Sequence, residues 1–278
     1  MGGARDDIGA GDSADSDGRR DYGDPAFAAR IARGLSAVPG VLAVALGGSR
    51  AAGTHRPDSD WDFSLYYRGE FDPENLRRLG WPGEIFPLGG WGGGVFNGGA
   101  WFEVDGTPVD VHYRDLDDVE FRLEEAREGR FGIERLPFHL AGIPTYIVVG
   151  ELAENVVLHG SLPTVGGYPE RLRESASRRW SGDARGTLRY ARSAHAERGH
   201  LSDSAGAIAL ALAQAAQATL AARGEWVTNE KTLIDRAGLR RADVILAGLS
   251  ADPESLTRAV DDALSLVTHV ASTDGFPG

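Results

Sequence analysis

Val41-Leu42-Ala43-Val44-Ala45-Leu46-Gly47-Gly48-Ser49-Arg50, followed ten residues on by Asp60-Trp61-Asp62-Phe63-Ser64-Leu65, sets the reading of everything else in this 278-residue chain. The first six residues form an apolar run of strand length, and the glycine pair ends it. Glycines at that point let the backbone approach an anion closely. Ser49 then opens a short helical segment, whose free N–H groups favour phosphate. In the second stretch Asp60, Asp62 and Ser64 alternate with Trp61, Phe63 and Leu65. Residues i and i+2 of a strand share one face, so the two carboxylates point the same way. Side by side they repel unless a cation lies between them. Hard oxygen ligands of this kind suit Mg²⁺ bridging to nucleotide phosphates.

The order of these pieces resembles the DNA polymerase β-like nucleotidyltransferase superfamily: a Gly-Ser turn, a short helix, Asp-x-Asp on the next strand and a third carboxylate on a later strand. Here the turn is Gly48-Ser49 and the pair is Asp60 and Asp62. The resemblance runs from Val41 to Tyr113 and is closest to small-molecule enzymes of the antibiotic nucleotidyltransferase kind. It implies an α+β fold, with an N-terminal nucleotidyltransferase α/β domain (a mixed sheet flanked by helices) and a C-terminal α-helical bundle. It also implies two Mg²⁺ ions held by Asp60, Asp62 and the third acid, and ATP or another NTP as co-substrate. Gly47, Gly48, Ser49 and Arg50 would bind the nucleotide, and the acceptor would be a hydroxyl on a small molecule.

Asp110 is the choice for the third acid. In Thr107-Pro108-Val109-Asp110-Val111-His112-Tyr113 the valines alternate with Asp110 and His112, as a half-buried strand requires. Asp105-Gly106 is a hairpin turn signal, with Ala100–Val104 as partner strand. A two-residue turn places Trp101 opposite Asp110 and puts Glu103 on the same face. Trp101 then offers a stacking surface, Glu103 is a second candidate acid or base, and His112 lines the same side.

Composition narrows the partners. Net charge is −12, whereas a processive nucleic-acid binder needs a basic groove. The expected partners are therefore an NTP and a small acceptor, without nucleic acid or membrane, acting on a monomer or homodimer. No cysteine is present, which excludes disulfides and thiolate zinc sites. No apolar run is read as a membrane span. Residues 1–23, rich in Gly, Asp, Ser and Arg, are expected to be a disordered leader without an apolar signal region, and the compartment is expected to be the cytoplasm.

The catalytic domain is expected over 24–162 and the helical domain over 168–274. Asp24-Pro25 caps a first helix carrying Phe27, Ile31 and Leu35 on one face, and Pro73–Leu79 is helical. Phe86–Gly99 is glycine-dense and reads as a crossing loop or a flap over substrate. Asp115, Asp117 and Asp118 read either as an acidic wall for a cationic acceptor or as helix-start chemistry. Tyr146–Val149 reads as a last strand. Pro169–Arg198, broken near Ser181-Gly182, Asp203–Arg223 and Pro253–Ser272 form the bundle. Basic residues of the helical domain reach the triphosphate in related enzymes, which singles out Lys231. The spacing of His195 and His200 matches no metal-ligand pattern. Two rival functions remain from other classes. Arg189 and His195 have the spacing of the HEPN ribonuclease signature, which implies a fused toxin–antitoxin-like pair. A non-catalytic nucleotide sensor is the other.

Overall fold

The computed structural model describes residues 22–137 and 139–273, with side chains to residue 269. The leader expected over 1–23 lies almost wholly outside the described residues. In chain order the elements are α1 (Pro25–Ser36), β1 (Val41–Leu46), α2 (Gly48–Ala51), β2 (Trp61–Tyr67), β3 (Gly83–Ile85), β4 (Gly99–Val104), β5 (Thr107–Asp115) and α3 (Leu116–Arg127). Then come β6 (Ile133–Glu134), β7 (Ile143–Pro144), α4 (Ile147–Glu154), β8 (Val156–His159), α5 (Glu170–Ala194), α6 (Leu201–Arg223), α7 (Leu233–Arg236), α8 (Ala242–Ala247) and α9 (Pro253–Thr273). This is the α+β class expected, and Pro73–Leu79 is a 3-10 helix.

Two compact units divide the chain. The first holds the described residues up to Trp91, Gly98–Arg114 and Glu154–Leu162. The second holds Gly92–Asn97, Asp115–Ala153 and the chain from Pro163 onward. Residues 115–153, expected within the catalytic domain, thus group with the helices that follow 163.

The first unit is built on a six-stranded sheet in the order β3-β4-β5-β2-β1-β8. Asp24 caps α1 by accepting from the N–H groups of Ala26 and Phe27 at 3.0 and 2.9 Å. Ile31 and Leu35 of α1 are fully buried, while Phe27 packs its ring 4.9 Å from that of Trp61. The core they enter contains Val44 and Leu46, then Trp61, Phe63, Leu65 and Tyr67, and then Val109, Val111 and Tyr113. One face of the sheet is therefore apolar and packed. Strand parity sends the intervening residues to the other face.

One strand expectation fails here. Tyr146–Val149 is not a strand: Ile147–Glu154 is helical, with Ile147, Val148 and Val149 buried. The β-branched run satisfies its backbone within the helix, because burial outweighs strand propensity there. The last strand is β8, paired antiparallel with β1 at the sheet edge. Asn155, just before β8, donates to the Tyr66 hydroxyl at 3.0 Å.

In the second unit α5 runs unbroken through Ser181-Gly182, since buried Trp180 and Ala184 hold that stretch by packing. The Trp180 indole N–H donates to the Tyr146 hydroxyl at 3.1 Å. Burial raises the Tyr146 phenol above its ordinary range, a shift that its hydrogen bonds to Trp180 and Tyr168 oppose. By length and composition α6 is apolar enough to cross a membrane, a property the sequence reading passed over. It packs instead against α5 and α9, with Ala211, Ala215, Ala216 and Leu220 buried. At the start of α9, Asp252 accepts from the Ser255 N–H at 2.8 Å. Leu256, Val260 and Val267 of α9 then enter the helical core.

Candidate active site

The carboxylate face of the sheet gathers most of the expected site. β2 and β5 are neighbours at the centre of the sheet. Phe63 and Leu65 lie in the same core as Val109 and Val111, so Asp62 and Asp110 both project from the opposite face. Asp60 stands exposed one residue ahead of β2. In the hairpin, Trp101 pairs with Asp110 and Glu103 with Pro108, the expected register. The connection is Asp105-Gly106, with φ of 52° and 73°, the two positive values of a type I′ turn.

The glycine turn is fitted to Asp62. Gly48 has φ of 62°, and a Cβ there would lie 1.9 Å from a carboxylate oxygen of Asp62. The Gly47 N–H donates to the Asp62 carbonyl at 2.8 Å. The end of β1 and the start of β2 are thereby fixed together, with Asp62 folded over a residue that has no side chain. α2 is a single turn of four residues, so it carries little of the macrodipole expected at Ser49.

Arg50 departs from its expected role. The sequence makes it a triphosphate ligand, yet it is only 6 % exposed. Its guanidinium donates to the carbonyl oxygens of Ser59 at 2.7 Å, Asp60 at 3.1 Å and Tyr22 at 3.3 Å. The same group stacks 4.0 Å from the Trp61 ring. Burial lowers its pKa, while the charges of Asp62 and Asp60 pull the other way. Arg50 therefore clamps the backbone that carries the aspartate pair. A buried guanidinium needs its donors satisfied, and these carbonyls satisfy them.

An aromatic layer that the sequence did not reveal lies beside Asp110. The Trp91 ring packs 5.8 Å from Trp101 and edge-on to His112 at 5.5 Å, and Phe86 meets Trp101 at 4.8 Å. A Cβ on Gly99 would strike the Trp91 ring at 2.2 Å. Trp91 thus lays the front of the glycine-dense segment on the sheet. Further along, Glu134 accepts from the Val95 N–H at 3.1 Å. The only sequence signal was Gly99 itself, an empty position facing a large ring. Trp101 stays 48 % exposed at the open side of the layer. Arg114, buried in β5, donates to His112 Nδ1 at 3.2 Å, which leaves the His112 proton on Nε2.

The structure also decides between the two readings of Asp115, Asp117 and Asp118, and gives the surroundings of Lys231. Asp115 accepts from the Asp117 N–H at 2.9 Å and caps α3, while Asp118 receives Arg122 at 3.2 Å. The run is helix-start chemistry rather than an acidic wall. Lys231 is exposed in the second unit just ahead of α7, with its N–H donating to the Asn229 side chain at 3.1 Å.

Comparison with known families agrees with the geometry. Residues 29–91 match the family model described as a nucleotidyltransferase domain. Over those residues the chain is similar to nucleotidyltransferase domains. The matched segment includes the Gly48 turn and the Asp60–Asp62 pair and ends before the hairpin that supplies Asp110. No curated protein matches the sequence. Among solved structures, a nucleotidyltransferase-like protein from Exiguobacterium sibiricum 255-15 is similar at 13 % identity over 88 % of this chain and 73 % of its own, with a TM-score of 0.40. Domains of this family are transferases of nucleoside monophosphates that use an NTP and a divalent metal. The residues of this chain suit such a metal: Asp62 and Asp110 share one face of adjacent strands, and Asp60 leads into the first of them.

Proposed function

We propose that this protein transfers a nucleoside monophosphate, with ATP as donor, to a hydroxyl of a small molecule. An aminoglycoside-like antibiotic is the leading acceptor. The observation that carries the reading is the convergence of Asp62 and Asp110 on one face of adjacent central strands, beside a glycine turn fitted to Asp62.

Asp60, Asp62 and Asp110 would hold two Mg²⁺ ions, which when bound neutralise phosphate charge and align the attacking and leaving oxygens. Gly47, Gly48 and Ser49 give the phosphates room to approach the backbone. Arg50 keeps Asp60 and Asp62 in place from behind. The acceptor oxygen forms its bond to the α-phosphorus as the bond to pyrophosphate breaks, and the hydroxyl proton passes to Asp110 or to Glu103. His112 is a poor base in this reaction, because its Nδ1 already accepts from Arg114. Trp101, half-exposed and directly across from Asp110, offers the acceptor a stacking surface. The acidic balance of the chain fits a cationic acceptor better than a nucleic acid, and a monomer or homodimer in the cytoplasm is the expected setting.

Pyrophosphate release with each NTP against an acceptor panel, followed by mass spectrometry of the product, tests this. An acceptor gaining the mass of a nucleoside monophosphate supports the proposal. Tight NTP binding with no pyrophosphate released across the panel would instead favour the nucleotide sensor.

A further inference from the structure

The turn between α5 and α6 brings together three side chains that their order in sequence does not group. α5 ends at Ala194 and a 3-10 turn covers Ala196–Arg198. Gly199, at φ of 71°, then reverses the chain, and the His200 N–H donates to the His195 carbonyl at 3.1 Å. That bond folds two histidines five positions apart onto each other, with ring centroids 6.3 Å apart. His200 is the N-cap of α6 and Asp203 follows at i+3, the two positions whose side chains face each other at a helix start. One ligand atom from each of His195, His200 and Asp203 lies within 4.8 Å of the other two.

We propose that His195, His200 and Asp203 form a zinc site, separate from the carboxylate face and independent of the transfer reaction. Two imidazoles and one carboxylate are the donor set of zinc and its neighbours rather than of Mg²⁺ or Ca²⁺. Tetrahedral zinc places such ligand atoms about 3.4 Å apart, given its bond lengths near 2.1 Å. His200 and Asp203 are exposed, so rotation of their side chains closes the remaining gap. His195 caps the C-terminus of the 25-residue α5, where the helix dipole favours a cation. The Asp203 carboxylate offsets the opposite dipole at the start of α6. Arg198 lines the same hollow, and its guanidinium donates to the Ser193 carbonyl. Its charge works against any cation in the hollow, so the two imidazoles and the Asp203 carboxylate must supply the affinity. Three protein ligands leave a fourth position for water, open to a hollow of about 700 Å³ that Tyr190 also borders. The Tyr190 ring meets His195 edge-on at 5.5 Å.

The test is calorimetric titration of Zn²⁺ into the chelator-treated, tag-free full chain, with millimolar Mg²⁺ present to fill oxygen-only sites. One equivalent is expected to bind. His200→Gln, a substitution at an exposed position, is expected to weaken binding by more than the about 10–100-fold that loss of an outer-shell partner produces. Asp203→Asn should weaken it too, while Asp62→Asn should leave it unchanged. With Co²⁺ in place of zinc, a visible absorption band should appear in the wild type and vanish in His200→Gln. Absence of zinc binding in the wild type, or equal binding in His200→Gln, overturns the site, and neither result bears on nucleotidyl transfer.

Discussion

The two faces of the central sheet divide the labour of this domain. On one, Phe63, Leu65, Val109 and Val111 are buried in a continuous core. On the other, Asp62 and Asp110 of the same strands and Trp101 of the neighbouring β4 present carboxylates and an exposed indole. Side chains one position apart in the same strand thus answer to different demands. The difference teaches that function here depends on the parity of a strand more than on its composition. The sharpest way to break this division is to substitute either face alone. Asp62→Asn is expected to lower transfer on the order of 10²–10³-fold or more, as loss of a group serving developing charge does. Its melting temperature should stay close to that of the wild type, because a half-exposed carboxylate adds little to the core. Leu65→Ala on the opposite face should do the reverse. It should cost about 2–5 kcal/mol of unfolding free energy in chemical denaturation while leaving the KM for NTP unchanged in the folded enzyme. A collapse of stability in Asp62→Asn, or a selective loss of nucleotide affinity in Leu65→Ala, would merge the two faces.

Arg50 is where the faces meet, and it sharpens the comparison. Its guanidinium stacks on Trp61, which belongs to the apolar core, yet it feels the charges of Asp60 and Asp62. Arg50→Met should therefore affect both properties. The stability loss should be at least about 1.5–3 kcal/mol, the range for one hydrogen bond involving a charged group, since Arg50 makes three. With the Ser59–Asp60 backbone released, the Mg²⁺ concentration needed for half-maximal activity should rise. A direct phosphate ligand would instead raise the KM for NTP with stability untouched, so the two measurements together decide the role of Arg50.

What the sequence disclosed follows from the same parity. Alternation in β2 and β5, the Asp105-Gly106 turn and the glycine pair after β1 are local signals with a period of two, and they placed Asp62, Asp110, Trp101 and Glu103 on one face. Contacts distant in the chain were not legible. Nothing local says that Trp91 fills the space above Gly99, or that Arg50 turns from the phosphate side to three carbonyls. Tyr146–Val149 misled because β-branched residues fit a buried helix as well as a strand. The spacing of the histidines at 195 and 200 does not disclose their distance, which a left-handed glycine between them sets.

The smallest expected effect lies at the open edge of the carboxylate face. Trp101 is half-exposed but packs against Phe86 and Trp91, so Trp101→Ala should cost about 0.5–1.5 kcal/mol of stability. An aromatic contact contributes about 0.5–1.5 kcal/mol beyond burial, which corresponds to a rise of roughly 2–12-fold in acceptor KM. The KM for NTP should not move, since the indole stands across from Asp110 and the glycine turn lies beyond β2 on β1. Trp101→Phe should recover most of the lost affinity, because the stacking surface is kept. If Trp101→Ala left acceptor KM unchanged and raised that of the nucleotide, the aromatic layer would belong to the base of the donor, and the acceptor would have to approach Asp110 from another side.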